Sequence, residues 1–485
     1  MAIDQSSAIR KPAVTDKGPL VAVLDIGKTN LKLLLATADG EPVDQTGTVN
    51  RFSGATPYPW IDTDGIERWF LEALRAFAPR YRIGALIVSS HACTGTLCDE
   101  NGAVLPMMDY EAPFPERLEG AYAAVAPGYE ELMTSIGPGA MRIARQLFWQ
   151  QRDFPEAFAR AKYFLGLPNY IAWRLGGRRA SEISHMMAQS HLWAPLARDF
   201  SSVVKSQGWQ RLFPPFVVAG ESLGSVSAHV ATATGLAPDT QVLCGVHDSN
   251  ANLFRYKAAG MDNCTLFSTG TWMIGFDRQR PVAIMDSARG MVANADVDGQ
   301  PVASTLSMAG REYALMVGDA PDVPDAEVLA AARALVARGT MALASFVPDD
   351  GQFPGSAGKG RMVGLPPQDA AEKRALGALY VAFNASLCLD LLQSAGKPVI
   401  IDGGFAANRP FAQVLAALRP GQKVSISHAR DGTALGAALL WQRAARTGPV
   451  GSVRVEGVTA ADVPGVEAMA RAWAADQAPG GLSGR

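Results

Sequence analysis

Between Leu20 and Thr37 the chain reads LVAVLDIGKTNLKLLLAT: an apolar run, a break at Asp25-Ile26-Gly27-Lys28-Thr29-Asn30, and a second apolar run. This is the pattern of a strand, a tight turn and a second strand, and the turn carries chemistry. Gly27 lets the backbone approach a ligand with no Cβ in the way. Thr29 and Asn30 add side-chain donors, and turn amides form a nest for an anion. Asp25 ends the first strand, where a carboxylate can hold a cation beside that anion, as Mg²⁺ sits between carboxylate and phosphate. Gly27-Lys28-Thr29 is not the end of a P-loop. That motif puts glycine five residues before Gly27, where Ala22 stands, and continues into a helix, whereas Leu31 to Leu35 reads as strand. On this stretch alone, an ordinary hairpin with a polar turn stays an equal reading.

The length of 485 residues is too great for one compact core, so two domains are expected. Composition is that of a soluble globular protein, with 48% hydrophobic and 19% charged residues. A formal net charge of -2 gives no reason to expect nucleic acid or an anionic membrane as partner. The five cysteines, Cys93, Cys98, Cys244, Cys264 and Cys388, lack metal-finger spacing. With no signal peptide in view, reduced thiols in the cytoplasm are expected. No apolar run reads as a transmembrane helix.

Residues 1–19 are polar and aperiodic, the pattern of a flexible tail. Ile61 to Phe77 has helical spacing behind a candidate N-cap at Asp62 or Thr63. Ala85 to Ser90 is a buried strand running into His91-Ala92-Cys93-Thr94-Gly95-Thr96, and Thr96 to Leu105 reads as a hairpin turning at Asn101-Gly102. A strand ending in polar residues beside a hairpin makes a pocket wall, so His91 is either a substrate contact or a satisfied structural histidine. Ala140 to Arg152 and Gly166 to Leu175 read as helical, with Pro155 ending or restarting the first. His185 and His191 lack the i, i+4 spacing and the third ligand of a metal site.

Gln241 to Val246 is a second strand-like run, ending at Gly245-Val246-His247-Asp248-Ser249-Asn250. Chemistry in α/β proteins sits in such polar clusters after a buried strand. Asp248 faces a cleft, caps a helix starting near Ser249, or does both. Thr265 to Phe276, TLFSTGTWMIGF, then repeats the opening pattern around a hydroxyl-rich turn, Ser268-Thr269-Gly270-Thr271. A hairpin of this kind occurring twice points to two related domains that share a cleft. Helical stretches follow at Asp325 to Arg338 and Pro367 to Leu392. A short strand, Lys397 to Ile401, leads into Asp402-Gly403-Gly404-Phe405-Ala406-Ala407-Asn408, with Asn408 as N-cap of a helix near Pro410. Gly403 and Gly404 allow a nucleotide to lie against backbone, and the absence of GxGxxG argues against a dinucleotide fold. Val424 to Ser427 is a further strand. The helix opening at Asp431 has Gly432/Gly436 and Ala434/Ala438 as small-residue faces for close packing. The segment after Thr447 is expected to add little to the core, with Ala460 to Asp476 as a peripheral helix.

Taken in order, five motifs resemble the FGGY family of carbohydrate kinases, within the larger sugar kinase, Hsp70 and actin superfamily. They are DIGKTN (Asp25 to Asn30), IVSSHACTG, GVHD (Gly245 to Asp248), FSTGTW (Phe267 to Trp272), and DGGFAAN with DGTALGAA. The resemblance implies an α/β fold of two ribonuclease-H-like (actin-like ATPase) domains, each a βββαβαβα core, around a central cleft. Residues 20–253 would form the sugar-side domain, 254–446 the ATP-side domain and 447–485 a C-terminal extension. The implied activity is ATP-dependent phosphorylation of a sugar hydroxyl, with Mg²⁺, in a cytoplasmic homodimer whose partner is a small-molecule sugar. Closest among the family are ketose kinases acting on pentuloses or 6-deoxyhexuloses such as xylulose, fuculose or rhamnulose.

By motif, the resemblance makes Asp248 the general base and Asp25 the residue serving the Mg²⁺-nucleotide. Gly27, Lys28, Thr29 and Asn30 would lie near the transferred phosphate, and Ser268, Thr269, Gly270 and Thr271 would hold the phosphates. Gly403, Gly404 and Asn408 would flank adenosine. His91, Asp109, Glu111, His247 and Asp248 would line the sugar side. Many relatives have a small hydroxyl residue in place of Lys28 and glutamine in place of His91, departures that bear on the sugar rather than the reaction. Two other classes fit the same motifs: a non-catalytic sensing or scaffold relative, and an actin-like phosphotransferase or ATPase whose acceptor is an acid, polyphosphate or water. Asp248 with the nucleotide motifs argues against the first, and GVHD favours a hydroxyl acceptor over the second.

Overall fold

The computed structural model describes residues 18–477 except 55, 136, 138, 430 and 452. The expected tail at 1–19 therefore lies outside the described residues, apart from its last two. The opening stretch folds as an antiparallel hairpin of β1 (Leu20–Ile26) and β2 (Asn30–Ala36), with Asp25 opposite Lys32. Both strands are covered on two faces, which is why their sequence is continuously apolar rather than alternating. β3 (Pro42–Val49) pairs antiparallel with β2, and β4 (Ile83–Ser90) lies parallel to β1. The crossover between them carries α1 (Thr63–Phe77), which buries Ile66, Phe70, Leu74 and Phe77 on one face. Asp62 caps it, its side chain accepting from Gly65 N at 2.9 Å, a bond worth about 1 kcal/mol. β5 (Ser222–Ser225), β6 (Gln241–Leu243) and β7 (Val246–His247) complete the sheet, in the order β5-β6-β4-β1-β2-β3 with β7 pairing β4.

The second sheet contains β8 (Thr265–Thr269), β9 (Met273–Asp277), β10 (Met291–Ala295), β11 (Pro301–Ser307), β12 (Val399–Gly403), β13 (Val424–Ser427) and β14 (Val455–Gly457), in the order β10-β11-β9-β8-β12-β13-β14. Counted from each hairpin, the two sheets run alike. Three strands are antiparallel, the next two are parallel to the first, and an antiparallel strand forms the rim; the second sheet adds a fourth antiparallel strand, β10, beyond β11. The repeat read from two hairpins is thus a repeat of whole sheets.

The helices that matter here are α2 (Ile143–Asp153), α3 (Leu167–Arg174), α4 (Ile183–Met187), α5 (Asp248–Ala258), α6 (Ala309–Val317), α7 (Asp325–Ala337), α8 (Ala370–Leu391), α9 (Arg409–Leu418), α10 (Gly432–Ala438) and α11 (Val466–Asp476). α5 and α10 cross at the small-residue face: a Cβ on Gly436 would stand 2.0 Å from the Ala251 carbonyl oxygen. α8, at 22 residues and mean hydropathy 1.2 over its most apolar window, does reach the length of a membrane span, contrary to the sequence expectation. However, 72% of that window is buried, as the spine of the second core.

Three further expectations change or are extended. Gly95–Cys98 pairs with Tyr163–Gly166 as well as with the other arm of the expected Thr96 to Leu105 hairpin, which is held by a Cys98–Ala103 bridge, by Val104 N donating to Leu97 O at 2.9 Å, and by a turn closed by Asp99 N to Gly102 O at 3.0 Å. His247, not Asp248, occupies the N-cap of α5, and Asp248 is its first residue. The segment after Thr447 is not peripheral. β14 pairs with β13, and α11 drives Trp473, 1% exposed, among Phe353, Tyr380 and Phe383.

Along β10 the free side of the strand is met by the first half of the chain. Tyr129 Oη donates to Met291 O at 2.7 Å, Ala293 N donates to Met133 O at 2.8 Å, and Asn250 Nδ2 donates to Ala295 O.

Candidate active site

The turns of the two hairpins face one cavity of about 580 Å³. The first turn is closed by Gly27 N to Asn30 O at 3.0 Å and fastened from below by Asn50, whose Nδ2 donates to Gly27 O and whose backbone N donates to Thr29 O, both at 2.8 Å. Lys28 and Thr29 line the cavity; Gly27 and Asn30 shape the turn instead. Across from them stand Ser268, Thr269, Gly270 and Thr271. Thr269 Oγ1 is already engaged, donating to Asp402 O at 2.6 Å and accepting from Phe405 N at 3.0 Å. The Ser268 and Thr271 hydroxyls have no protein partner among the described residues.

Asp248 stands at the end of β7, where the strand opens into α5, and it lines the cavity. Its Oδ1 accepts from Ser249 N at 2.5 Å and Ser249 Oγ at 3.1 Å, and lies 3.1 Å from His247 Nε2. Among the described residues Oδ2 has no partner. Burial pushes the Asp248 carboxyl up, but the His247 imidazole and the Ser249 amide outweigh it and hold the group below the usual carboxylate value. Burial likewise lowers His247, and Asp248 beside it brings the net shift upward. His247 borders the cavity, yet both ring nitrogens are taken, Nδ1 by Asn250 Oδ1 and Nε2 by Asp248. The expected sugar-contacting histidine therefore has its ring committed to Asp248 and Asn250.

Asp25 lies behind the first turn. Burial, with Asp248 and Asp431 nearby, pushes its carboxyl up to about 7 against the opposing charge of Lys32. Lys32 itself forms an ion pair with Asp431 at the start of α10. Asp25 thus sits between two further carboxylates and one ammonium that is already paired.

On the sugar side the structure regroups the expected residues. Lys28 Nζ lies 2.5 Å from Asp109 Oδ1 and 3.4 Å from Glu111 Oε2, over the rings of Phe52 and Tyr110 at 4.1 and 4.7 Å. Asp109 is buried behind Lys28 and does not line the cavity, whereas Glu111 does. Glu111 Oε1 also faces Arg311 Nη1 of α6 at 3.9 Å, across the cavity mouth. His91 is buried at the cavity wall, its Nδ1 3.1 Å from Ala92 O, and its Nε2 has no partner. Among the described residues no three His, Cys, Asp or Glu converge as ligands, around His185 and His191 or elsewhere.

A second cavity, of about 400 Å³, opens beside the loop after β12 and is lined by Gly404, Phe405, Asn408, Tyr313 and Arg374. Asn408 caps α9, accepting from Phe411 N at 3.1 Å. Gly403 lines neither cavity. With φ +91°, its missing Cβ would stand 2.0 Å from Thr269 O, so the glycine serves the close approach of β12 to β8 rather than a ligand. α6 spans both cavities, presenting Arg311 to the first and Tyr313 to the second. Arg311, Tyr313, Arg374, Asn50 and Asn250 carry no local sequence signal; their place comes from packing against the turns.

Residues 131–254 match a family model described as the FGGY family of carbohydrate kinases, N-terminal domain, and residues 261–449 match Carbohydrate kinase FGGY, C-terminal domain. The L-fuculokinase of Escherichia coli (strain K12) is 27% identical over 280 residues. That match covers 53% of this chain and 56% of the relative, so the chain spans about half the length of the curated relatives it matches. A carbohydrate kinase from Novosphingobium aromaticivorans superposes with TM-score 0.83 at 29% identity, over 94% of this chain and 98% of that one. A ligand-bound xylulose kinase from Lactobacillus acidophilus superposes with TM-score 0.78 at 14% identity, over 94% and 96%. The fold is the two-domain actin-like ATPase fold of these sugar kinases.

Proposed function

Because the chain belongs to the FGGY family of carbohydrate kinases, we propose that it moves the terminal phosphoryl group of ATP onto a hydroxyl of a small sugar, with Asp248 as general base. The observation that carries this reading is the carboxylate of Asp248. Donors occupy one oxygen, the other is free at the cavity, and the hydroxyl-rich turn Ser268 to Thr271 stands opposite. In the reaction the sugar O–H gives its proton to Asp248 Oδ2 as the new O–P bond forms and the bond from phosphorus to the ADP oxygen breaks. Thr29, Ser268 and Thr271 would hold the phosphates. Gly404 and Asn408, with Tyr313, would border adenosine in the second cavity.

Asp25 fits a divalent cation. Its carboxyl is raised by burial and by two neighbouring carboxylates, a local excess of negative charge that Mg²⁺ on a nucleotide would relieve. A hard cation that keeps several waters needs only one or two carboxylates. When bound, the ion would neutralise charge on the phosphate oxygens.

For the acceptor, a neutral sugar is favoured. Lys28 is the cation at the sugar wall, and its charge is already met by Asp109 and Glu111, which leaves none to spare for a sugar acid. The L-fuculokinase relatives point to a ketose, either a pentulose or a 6-deoxyhexulose. We place the junction between the halves near residue 254, supported by the gap between the matched regions at 254 and 261. The free cysteines, four of the five buried, suit a reducing compartment such as the cytoplasm.

The test is a coupled ADP assay over ketoses, aldoses, polyols and sugar acids, with wild type and Asp248→Asn. A ketose should give the highest turnover, and Asp248→Asn should lower it roughly a hundredfold or more with ATP binding retained. ADP release that ignores sugar would make the protein an ATPase, and no ADP with any acceptor would make it a non-catalytic relative.

A further inference from the structure

The hydrogen-bond chain behind the proposed base is determined atom by atom. Asn250 Nδ2 donates to the Ala295 carbonyl. A carbonyl only accepts, so the amide nitrogen must face it and Oδ1 must face His247 Nδ1. Oδ1 also only accepts, so Nδ1 carries a proton. The other ring nitrogen, Nε2, lies 3.1 Å from Asp248 Oδ1, which already accepts from two Ser249 donors. A proton on Oδ1 would collide with those donors, and an unprotonated Nε2 would set its lone pair against the carboxylate. Both conflicts vanish when Nε2 is protonated.

We propose that Asn250 is the positioning residue of the base: it fixes His247 as an imidazolium that holds Asp248 ionised, with Oδ1 tied down and Oδ2 turned to the acceptor. Asn250 does this with an anchor from the other half of the molecule, since Ala295 belongs to β10. The charged surroundings agree. From α4, Ser184 Oγ accepts from His247 N at 3.3 Å and donates to the buried carboxylate of Glu182 at 2.7 Å. His185, also on α4, is held neutral by burial. On the β10 side Asp296 is occupied by Lys257 and Arg278. The negative charges facing the ring are therefore Asp248 and Glu182, with Asp25 beyond Asp248. That Asp248 is the base rests on the function proposed above; the protonation of His247 does not.

The two parts separate experimentally. In protein labelled with ¹⁵N-histidine, without ligand, the His247 ring (assigned by its loss in His247→Gln) should show both nitrogens protonated at pH 7, and Asn250→Ala should return it to a neutral ring. A wild-type ring with either nitrogen bare at pH 7 overturns the inference, and this reading needs no variant to fold. In the sugar-dependent assay, Asn250→Ala and His247→Gln should move the acid limb of kcat/KM upward by about one pH unit or more, as expected when a carboxylate loses an adjacent cation, with activity recovering at high pH. A loss equal at every pH assigns Asn250 a merely structural part and overturns its positioning role. If wild type makes no sugar-dependent ADP, the kinase reading fails, while the ring nitrogens still decide the state of His247.

Discussion

Lys28 reaches out of the first hairpin turn and closes on Asp109, Nζ to Oδ1 2.5 Å, although the two residues are 81 apart in the chain. The contact fastens the turn proposed to face phosphate to the segment proposed as the sugar wall, and it gives the buried Asp109 its one cationic partner, beside the Glu111 amide that donates to the same oxygen at 3.0 Å. Lys28→Thr removes that ammonium. Stability should fall by about 1–3 kcal/mol as the buried carboxylate loses its counter-charge, and KM for the sugar should rise more than KM for ATP. Thermal unfolding and the two KM values measure this, and an unchanged melting curve with an unchanged sugar KM would rule the strap out.

Asp25 carries a cost. In the fold its carboxyl keeps a proton up to about pH 7, whereas unfolded it releases it near the ordinary value of 3.8. The folded state thus binds more protons between those values, and stability falls as pH rises through that window. Asp25→Asn removes the penalty. Relative to wild type, without nucleotide, the variant should gain on the order of a few kcal/mol at pH 8 and nothing near pH 3.5, while transfer weakens. Chemical denaturation at the two pH values provides the comparison, and a difference independent of pH would speak against a strained carboxyl.

Gly403→Ala places a methyl 2.0 Å from the Thr269 carbonyl at a positive φ. Backbone cannot step aside as a side-chain tip can, so β12 and the second hairpin should separate, costing roughly 1–3 kcal/mol and weakening ATP binding. At Gly404 the nearest atom is 3.9 Å away, so Gly404→Ala should fold normally. Equal behaviour of the two variants in melting experiments would remove the distinction.

Trp473 fills the second core from the end of the described chain and donates through Nε1 to Ala342 O at 2.7 Å. Trp473→Ala should cost about 3–5 kcal/mol, read as a lowered urea midpoint of the second half. A shift under 1 kcal/mol would return α11 to the periphery.

Both hairpins were legible in the sequence because everything that makes them is local: a doubly buried apolar run, a glycine, a second run. The polar ends at Asp248 and Asn408 were legible for the same reason. Tertiary partners were not. Nothing near Lys28 announces Asp109, and nothing in the HDSNAN run around Asn250 announces Ala295 on a strand of the other sheet. Arg311 and Tyr313 lie on a helix with no motif, brought to the turn by the packing of Gly310 against Gly270 O and by Arg311 N donating to Thr271 O at 3.2 Å. Trp473 was missed because its segment is rich in alanine and reads as surface.

The row of bonds along β10 has a mechanical consequence. Met291, Ala293 and Ala295 point their backbone groups the same way, on one straight line, and each is gripped from the first half. Pulling the halves apart there would strip several backbone groups of partners at once, whereas rotation about the line strains each bond only slightly. That row is therefore stiffer than the cavity mouth, where Glu111 and Arg311 meet only at 3.9 Å.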